Sequence, residues 1–371
     1  MTEPMLHTDA KPGALAPERE MDLQFHGITR EYFRVWAVNL CLTLLTLGIF
    51  SAWAKVRKKR YFYSHTTLDR TPFQYLGQPL PILKGRLIAV ALFLLYYTSS
   101  NFLTALLPYV LTAGVLLAPW VIVRSAAFNA RYSAYRNMTF SFDGRYRDAV
   151  FTLYWLGLIP LLVAGTIFGW WGNMFIGVGA YAIFGLLFPW WIRRLKHFLI
   201  THSIFGGENG ELSATGRQFF RVYFMAGLVV TLFGALTAGL VAAMFSSIKL
   251  SRYAFMLPLI PVYVGYVLAF AYVQAHNSNL VWNHTRLGPL RFNSSLTARG
   301  MAGLYIGNAL AIVASVGLLT PWAVIRTLKY RADHMQVFLD GNLASFHSAE
   351  SGAVRAAGAE LGEFFDVDLS L

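Results

Sequence analysis

The chain has 371 residues, of which 56% are hydrophobic and only 13% charged, with a formal net charge of +13. Soluble domains carry about 25% charged residues, so a composition this apolar cannot clothe a water-facing surface and excludes an ordinary soluble protein. The single cysteine, Cys41, excludes an intrachain disulfide and any multi-cysteine metal site; inside an apolar run it reads as a small buried hydrophobe.

Residues 1–22 are polar and proline-containing with no apolar signal-peptide core, and read as a disordered leader. Uncharged runs follow over Val35–Ala54, Leu87–Val123, Ala149–Ile192, Val222–Ile248, Tyr253–Ala275 and Gly300–Ile325. A helix needs about 20 apolar residues to cross a hydrocarbon core. The second and third runs each have room for two crossings, with turns expected near Pro108 and at Gly172-Asn173. The fourth and fifth form another pair, separated by Lys249 and Arg252.

The expected fold is an all-α polytopic membrane protein: three transmembrane helical hairpins plus two short flanking membrane segments, with short cytoplasmic β-strands and internal repeats. The flanking segments, 35–54 and 300–325, are long enough for one crossing and too short for two. Single crossings would make eight spans. A re-entrant course, broken at Thr46-Leu47-Gly48 and at Gly317, would keep every flank on one side and leave six; this second course is preferred. Residues 23–346 form the membrane domain and 347–371 an acidic C-terminal tail, whose close at Glu363-Phe364-Phe365-Asp366 is either exposed or docked on basic loops.

Basic residues cluster at Lys55–Arg60, Arg193–Lys196 and Arg326–Arg331, between or after the hydrophobic segments and away from the hairpin tips. Positive charge near span ends is retained in the cytoplasm, so the connecting loops are expected there and the hairpin tips outside. Alternating aromatic and polar residues in these loops suggest short strands: Tyr61–Thr67 and Pro72–Leu76 around a turn at Asp69-Arg70, then Met138–Phe142, then Val337–Leu339. Together they would make a small cytoplasmic β layer.

A motif recurs. Trp53, Trp120, Trp190 and Trp322 each end an apolar run, with Arg57, Arg124, Arg194 and Arg326 four residues later and Tyr61, Phe128, Phe198 and Tyr330 four beyond those. Phe73 and Phe140 lie twenty residues after the first two tryptophans. A degenerate copy runs Tyr272, His276, Phe292. Tryptophan belongs at headgroup level and an arginine one turn on can reach phosphate. The eight Trp and Arg positions are therefore interfacial anchors or a clamp for anionic lipid.

Phe25-His26-Gly27, Tyr32-Phe33, Asn39, Thr46-Leu47-Gly48-Ile49, Trp53-Ala54-Lys55-Val56-Arg57 and Arg60-Tyr61, with the closing Phe364–Leu371, resemble the YjgN-like family of bacterial inner-membrane proteins, a domain of unknown function (number 898). The resemblance covers the chain from Leu23 onward. It implies a bacterial inner-membrane location and a membrane-associated metallopeptidase as a candidate partner, and it assigns no activity, because none is established for the family.

No catalytic pattern stands out. The nine histidines include neither an H-E-x-x-H helix nor a ligand spacing, so no metal site and no cofactor are expected, with His197, His202, His276 and His284 the only set worth testing for convergence. Gly206–Gly210 lacks the lysine of a phosphate loop. The uncharged runs hold no acidic or basic side chain, and of their notable polar groups Asn39, Asn101 and Asn308 are candidates for a cavity or for interhelical bonding. Ala235, Gly239 and Ala243 form a small-residue stripe suited to close helix packing. These features favour a non-enzymatic membrane scaffold or regulatory partner, with no nucleic-acid role. The alternative is a transporter or channel for a lipid or neutral solute, which would need the three asparagines to line one path.

Overall fold

The computed structural model describes residues 19–170, 172–246 and 259–340. The tail, most of the leader and the Lys249/Arg252 turn lie outside them. Six helical stretches are long and apolar enough to cross a membrane: Pro79–Asn101, Thr104–Arg131, Tyr146–Gly169, Met174–Thr201, Gly216–Met244 and Leu259–Asn283. At most 22% of the residues in each apolar window are buried, a surface that lipid tolerates and water does not.

Both flanking segments turn back on themselves. The first is helix α1 (Thr29–Leu45) followed by α2 (Ser51–Ser64), and the last is α10 (Ala298–Ala314) followed by α11 (Thr320–Asp333). Their tips are copies of one another, at the breaks read from sequence. Gly48 N–H donates to Thr43 O and Gly317 N–H to Ile312 O, while the Thr46 and Ser315 hydroxyls accept from Phe50 and Leu319 N–H. The peptide N–H groups of residues 46–51 all find acceptors inside their own tip. That is the condition for non-helical backbone at membrane depth.

The remaining elements are α3 (Pro79–Asn101), α4 (Leu107–Arg131), α5 (Tyr146–Leu153), α6 (Leu158–Trp170), α7 (Met174–Thr201), α8 (Gly216–Ser246) and α9 (Leu259–Asn283). Pro108 occupies the first turn of α4, where its missing N–H costs nothing. Asn173 caps α7 after Gly172, at φ 99°. The strands are β1 (Arg19–Met21), β2 (Leu23–Phe25), β3 (Thr66–Leu68), β4 (Thr71–Tyr75), β5 (Ser133–Tyr135), β6 (Met138–Thr139), β7 (Ser141–Phe142), β8 (Ser203–Phe205), β9 (Glu208–Leu212), β10 (Thr285–Leu287), β11 (Leu290–Ser294) and β12 (Met335–Leu339).

These strands do not form an open layer. Their order is β1-β12-β11-β10-β9-β8-β7 in one arc and β2-β3-β4-β5-β6 in the other. Since β1 runs into β2 through Asp22, and β6 into β7 through Phe140, the arcs join into a closed antiparallel ring. Closure removes the unpaired edges that such short strands would otherwise expose. Residues 19–22, grouped with the leader by composition, supply the closing strand: Arg19 faces Leu339 and Met21 faces Val337.

The ring contains five units, each a strand, a helical hairpin and a strand paired with the first. They are β2-α1-α2-β3, β4-α3-α4-β5, β6/β7-α5-α6-α7-β8, β9-α8-α9-β10 and β11-α10-α11-β12. Consecutive units are linked by tight turns in the left-handed region, as hairpins require: Asp69-Arg70 (φ 50° and 61°), Arg136-Asn137 (49° and 63°), Gly206-Gly207 (61° and 87°) and Gly288 (56°). The helices follow the strands round, ending with α11 against α1. The last unit is completed by the N-terminal strand.

Two details depart from the sequence reading. Tyr61–Ser64 is helix, because the last turn of α2 packs Tyr61 and Phe62 against α1. The stripe Ala235, Gly239 and Ala243 is not the packing face of α8. Ala235 and Gly239 are exposed, and a methyl at Gly239 would meet nothing within 4 Å. Close packing occurs where Gly165 and Gly169 of α6 meet Gly177 and Ala180 of α7, and where Gly265 of α9 receives Phe233. Cys41 is likewise exposed rather than buried, which an apolar thiol facing lipid tolerates.

Candidate functional site at the helix–strand junction

The recurring motif lies where the second helix of each unit descends into the ring. The residue before each anchor is fully packed: Ala52, Pro119, Pro189, Ala271 and Pro321 are all buried. Fifteen residues after the anchor, Leu68, Tyr135, Phe205, Leu287 and Val337 point into the ring. Phe73, Phe140 and Phe292, picked out by spacing, join them there with Met21, Leu23 and Leu339. The ring interior is thus a single apolar core fed by every unit.

Twelve residues after the anchor stands the C-cap: His65, Tyr132, His202, His284 and His334. In the four histidines Nδ1–H donates to the carbonyl four residues back, at 2.7, 2.8, 2.9 and 2.8 Å. That carbonyl can only accept, which fixes the tautomer and ties the imidazole to the last turn of the helix. The cap's own carbonyl accepts from the strand beside it in all five units: from His26, Leu76, Asp143, Ser213 and Ser295 N–H. Four of the seven histidines among the described residues are therefore explained by helix ends. His284 Nε2 meets Gln218 at 3.1 Å, and His65 Nε2 lies 3.5 Å from Glu31. Among the described residues, no three of His, Cys, Asp or Glu gather as metal ligands.

One repeated feature lies outside the tryptophan–arginine spacing. In three units the aromatic ending the strand folds over a glycine two residues on: Phe25 over Gly27, Tyr75 over Gly77 and Phe142 over Gly144, where a methyl would sit 2.3–2.5 Å from the ring. The aromatic-x-Gly spelling was visible, but its last two copies degenerate to Leu212-Ser213-Ala214 and Ser294-Ser295-Leu296.

The anchors divide. Arg326 lies 5.1 Å over its own Trp322, and its Nη1 donates to Asn308 Oδ1 at 3.3 Å. Arg57 sits over Phe50 at 5.2 Å, because Trp53 is itself packed against the core of α2 and Phe50 stacks beside it. Arg194 reaches Trp155 at 5.4 Å, and Trp190 packs on Phe220. Trp120 packs against Ala89 and Val121, with Arg124 half-buried in α4. Eight residues separate each arginine from its C-cap, placing all four about 12 Å above the ring. The Trp-x-x-x-Arg spacing thus becomes a side-chain pair in the fifth unit, while Arg57 and Arg194 take other aromatics.

The asparagines do not gather. Asn101 Nδ2 donates to Tyr97 O within its own helix, at the far end of α3. Asn39 and Asn308 are counterparts, each buried in its own short hairpin and donating across it, to Ala54 O (3.5 Å) and Ala323 O (3.2 Å). Asn308 also bonds Thr327 and accepts from Arg326, whereas Asn39 Oδ1 is buried without a partner. Asn308→Leu is therefore expected to cost about 1–3 kcal/mol by stranding its partners, with Asn39→Leu close to neutral. Thermal unfolding of the two purified variants checks this, and equal effects would refute the asymmetry.

A short helical hairpin, three hairpins of membrane-spanning length and a second short hairpin on one closed strand ring define a polytopic, repeat-built membrane protein. The chain belongs to the family described as "Bacterial protein of unknown function (DUF898)", whose model matches residues 20–364. It is similar to Inner membrane protein YjgN of Salmonella typhimurium, 25% identical over 356 residues covering 85% of this chain and 88% of that protein. It is also similar to Inner membrane protein YjgN of Escherichia coli K12, 28% identical over 150 residues, 39% of this chain and 36% of that one. No solved structure matches. The chain is accordingly an inner-membrane protein of the YjgN-like family.

Proposed function

We propose that this protein is a non-enzymatic membrane scaffold or regulatory partner, with its strand ring on the cytoplasmic side and its hairpin tips toward the outside. The observation that carries this is the filled ring. Tyr135, Phe205, Leu68, Leu290 and Val337 pack at its centre, so a solute moving along the axis would have to displace a native-density core. Separation of Asn39, Asn101 and Asn308 argues the same way against a polar path. The cytoplasmic orientation is supported by the basic residues at the ring side of the helices.

On the ring's far face the turns present Arg70 and Arg136 to solvent, with Asp340 exposed at the end of β12, a polar surface suited to a protein partner. The family resemblance supplies a membrane-associated metallopeptidase as the first candidate. Native mass spectrometry of the mildly extracted protein is expected to retain a second protein in fixed stoichiometry. A lone chain that retains a neutral solute, or one that conducts a solute in vesicles, would favour the transport alternative and overturn this one.

A further inference from the structure

The first helix of every unit starts beside the ring, and there it carries cations that lie outside the tryptophan–arginine motif. Arg30, Arg147, Arg217 and Arg299 hold the second position of α1, α5, α8 and α10. In α3 that position is Leu80, and Lys84, one turn on, supplies the cation; Arg34 and Arg221 occupy that same turn of α1 and α8. All seven are exposed. The acidic residues among them are Glu31, near His65, and Asp148, 3.9 Å from Arg147. Among the described residues, no carboxylate pairs with Arg30, Arg34, Arg217, Arg221 or Arg299.

What lies above these cations tells which solvent they meet. Beyond Arg30 and Arg34, the same face of α1 continues through Val38, Cys41 and Leu45, all exposed. Beyond Arg217 and Arg221, α8 continues through Met225, Leu228, Leu232 and Leu236, again exposed. Beyond Arg299, α10 shows Ile306, Leu310 and Val313. Spacings of three and four residues place each series on one stripe of its helix. An exposed aliphatic stripe ending in a guanidinium matches a lipid standing alongside, chains against the aliphatics and phosphate at the arginine.

We propose that these cations form a collar of anionic phospholipid sites around the ring-side leaflet, strongest at Arg30/Arg34 and Arg217/Arg221. In each of these pairs the two arginines stand one helical turn apart, about 6 Å along the axis at the backbone, which suits a lipid carrying two phosphates. The collar is distinct from Arg57, Arg194 and Arg326, whose guanidiniums already rest on aromatic rings. It holds whether or not a protein partner is retained.

The test is competitive lipid retention by the full chain, purified from a mixture of phosphatidylethanolamine, phosphatidylglycerol and cardiolipin and read by native mass spectrometry. R30Q/R34Q/R217Q/R221Q is expected to weaken retention of the anionic lipids about fivefold per charge removed, with cardiolipin affected most. The matching four-lysine variant should restore most of that loss, and both variants must elute as monodisperse protein. Equal anionic-lipid retention in parent and glutamine variant would overturn the collar. So would a loss confined to R57Q/R124Q/R194Q/R326Q, or displacement of the lipid by millimolar inorganic phosphate, which would assign the cations to a soluble anion.

Discussion

Tyr135→Ala is expected to destabilise the protein by about 3–5 kcal/mol, the range for emptying a large aromatic from a packed core. Tyr135 is 1% exposed at the centre of the ring, 5.0 Å from Phe73 and 6.4 Å from Phe205 between ring centres. Its hydroxyl donates to Leu68 O at 2.8 Å, tying the second unit to the first. Burial pushes the phenol's pKa up, so it remains a neutral donor at any physiological pH. Tyr135→Phe, which keeps the ring and loses the bond, should cost about 1 kcal/mol. Thermal unfolding of the detergent-solubilised variants, followed by tryptophan fluorescence, separates the two. If the alanine variant unfolded like the parent, the ring interior could not be the core that couples the five units.

The second large effect is expected at the re-entrant tips. Leu47 and Val316 are 95% and 92% exposed and adopt the left-handed backbone region, with φ 50° and 51°. That conformation costs a side-chain-bearing residue about 1–2 kcal/mol, and the cost is worse for a β-branched one. A tip in water would use glycine or asparagine at these positions; an apolar residue there fits hydrocarbon. Leu47→Asp and Val316→Asp should then each cost about 2.5–3.5 kcal/mol, as for a charge near the bilayer centre. In a water-exposed loop they would cost almost nothing. A companion measurement uses Leu47→Cys in a Cys41→Ala background. Membrane-impermeant maleimide should fail to label it in intact cells or inverted vesicles and should label it once detergent is added. Labelling from one side before detergent would turn the tip into an aqueous loop and remove the re-entrant reading.

Much of this architecture is legible in the residues alone. Long uncharged runs read as membrane helices, because only helices and closed barrels satisfy their backbone in lipid and barrel strands alternate apolar with polar residues. Thr46-Leu47-Gly48 and Gly317 mark breaks because a helix cannot continue through the backbone a glycine is there to provide. Asp69-Arg70 reads as a turn and Phe73, Phe140 and Phe292 as one repeated position, since local spacing survives folding.

Three things were settled only by the tertiary structure. Which face of α8 packs is not encoded in its periodicity: a helix apolar all round, in an apolar solvent, carries no amphipathic signal. The stripe Ala235–Ala243 therefore misled, and Phe233 against Gly265 was invisible. The role of the histidines came from their height in the helix, where a cap must bond a carbonyl four residues back. The closed ring itself rests on Arg19–Met21 meeting Val337–Leu339 across nearly the whole chain. Strands this short are not stable alone and leave little periodicity to read. Their partners are chosen only when the five hairpins stand side by side and the apolar side chains have one centre to fill.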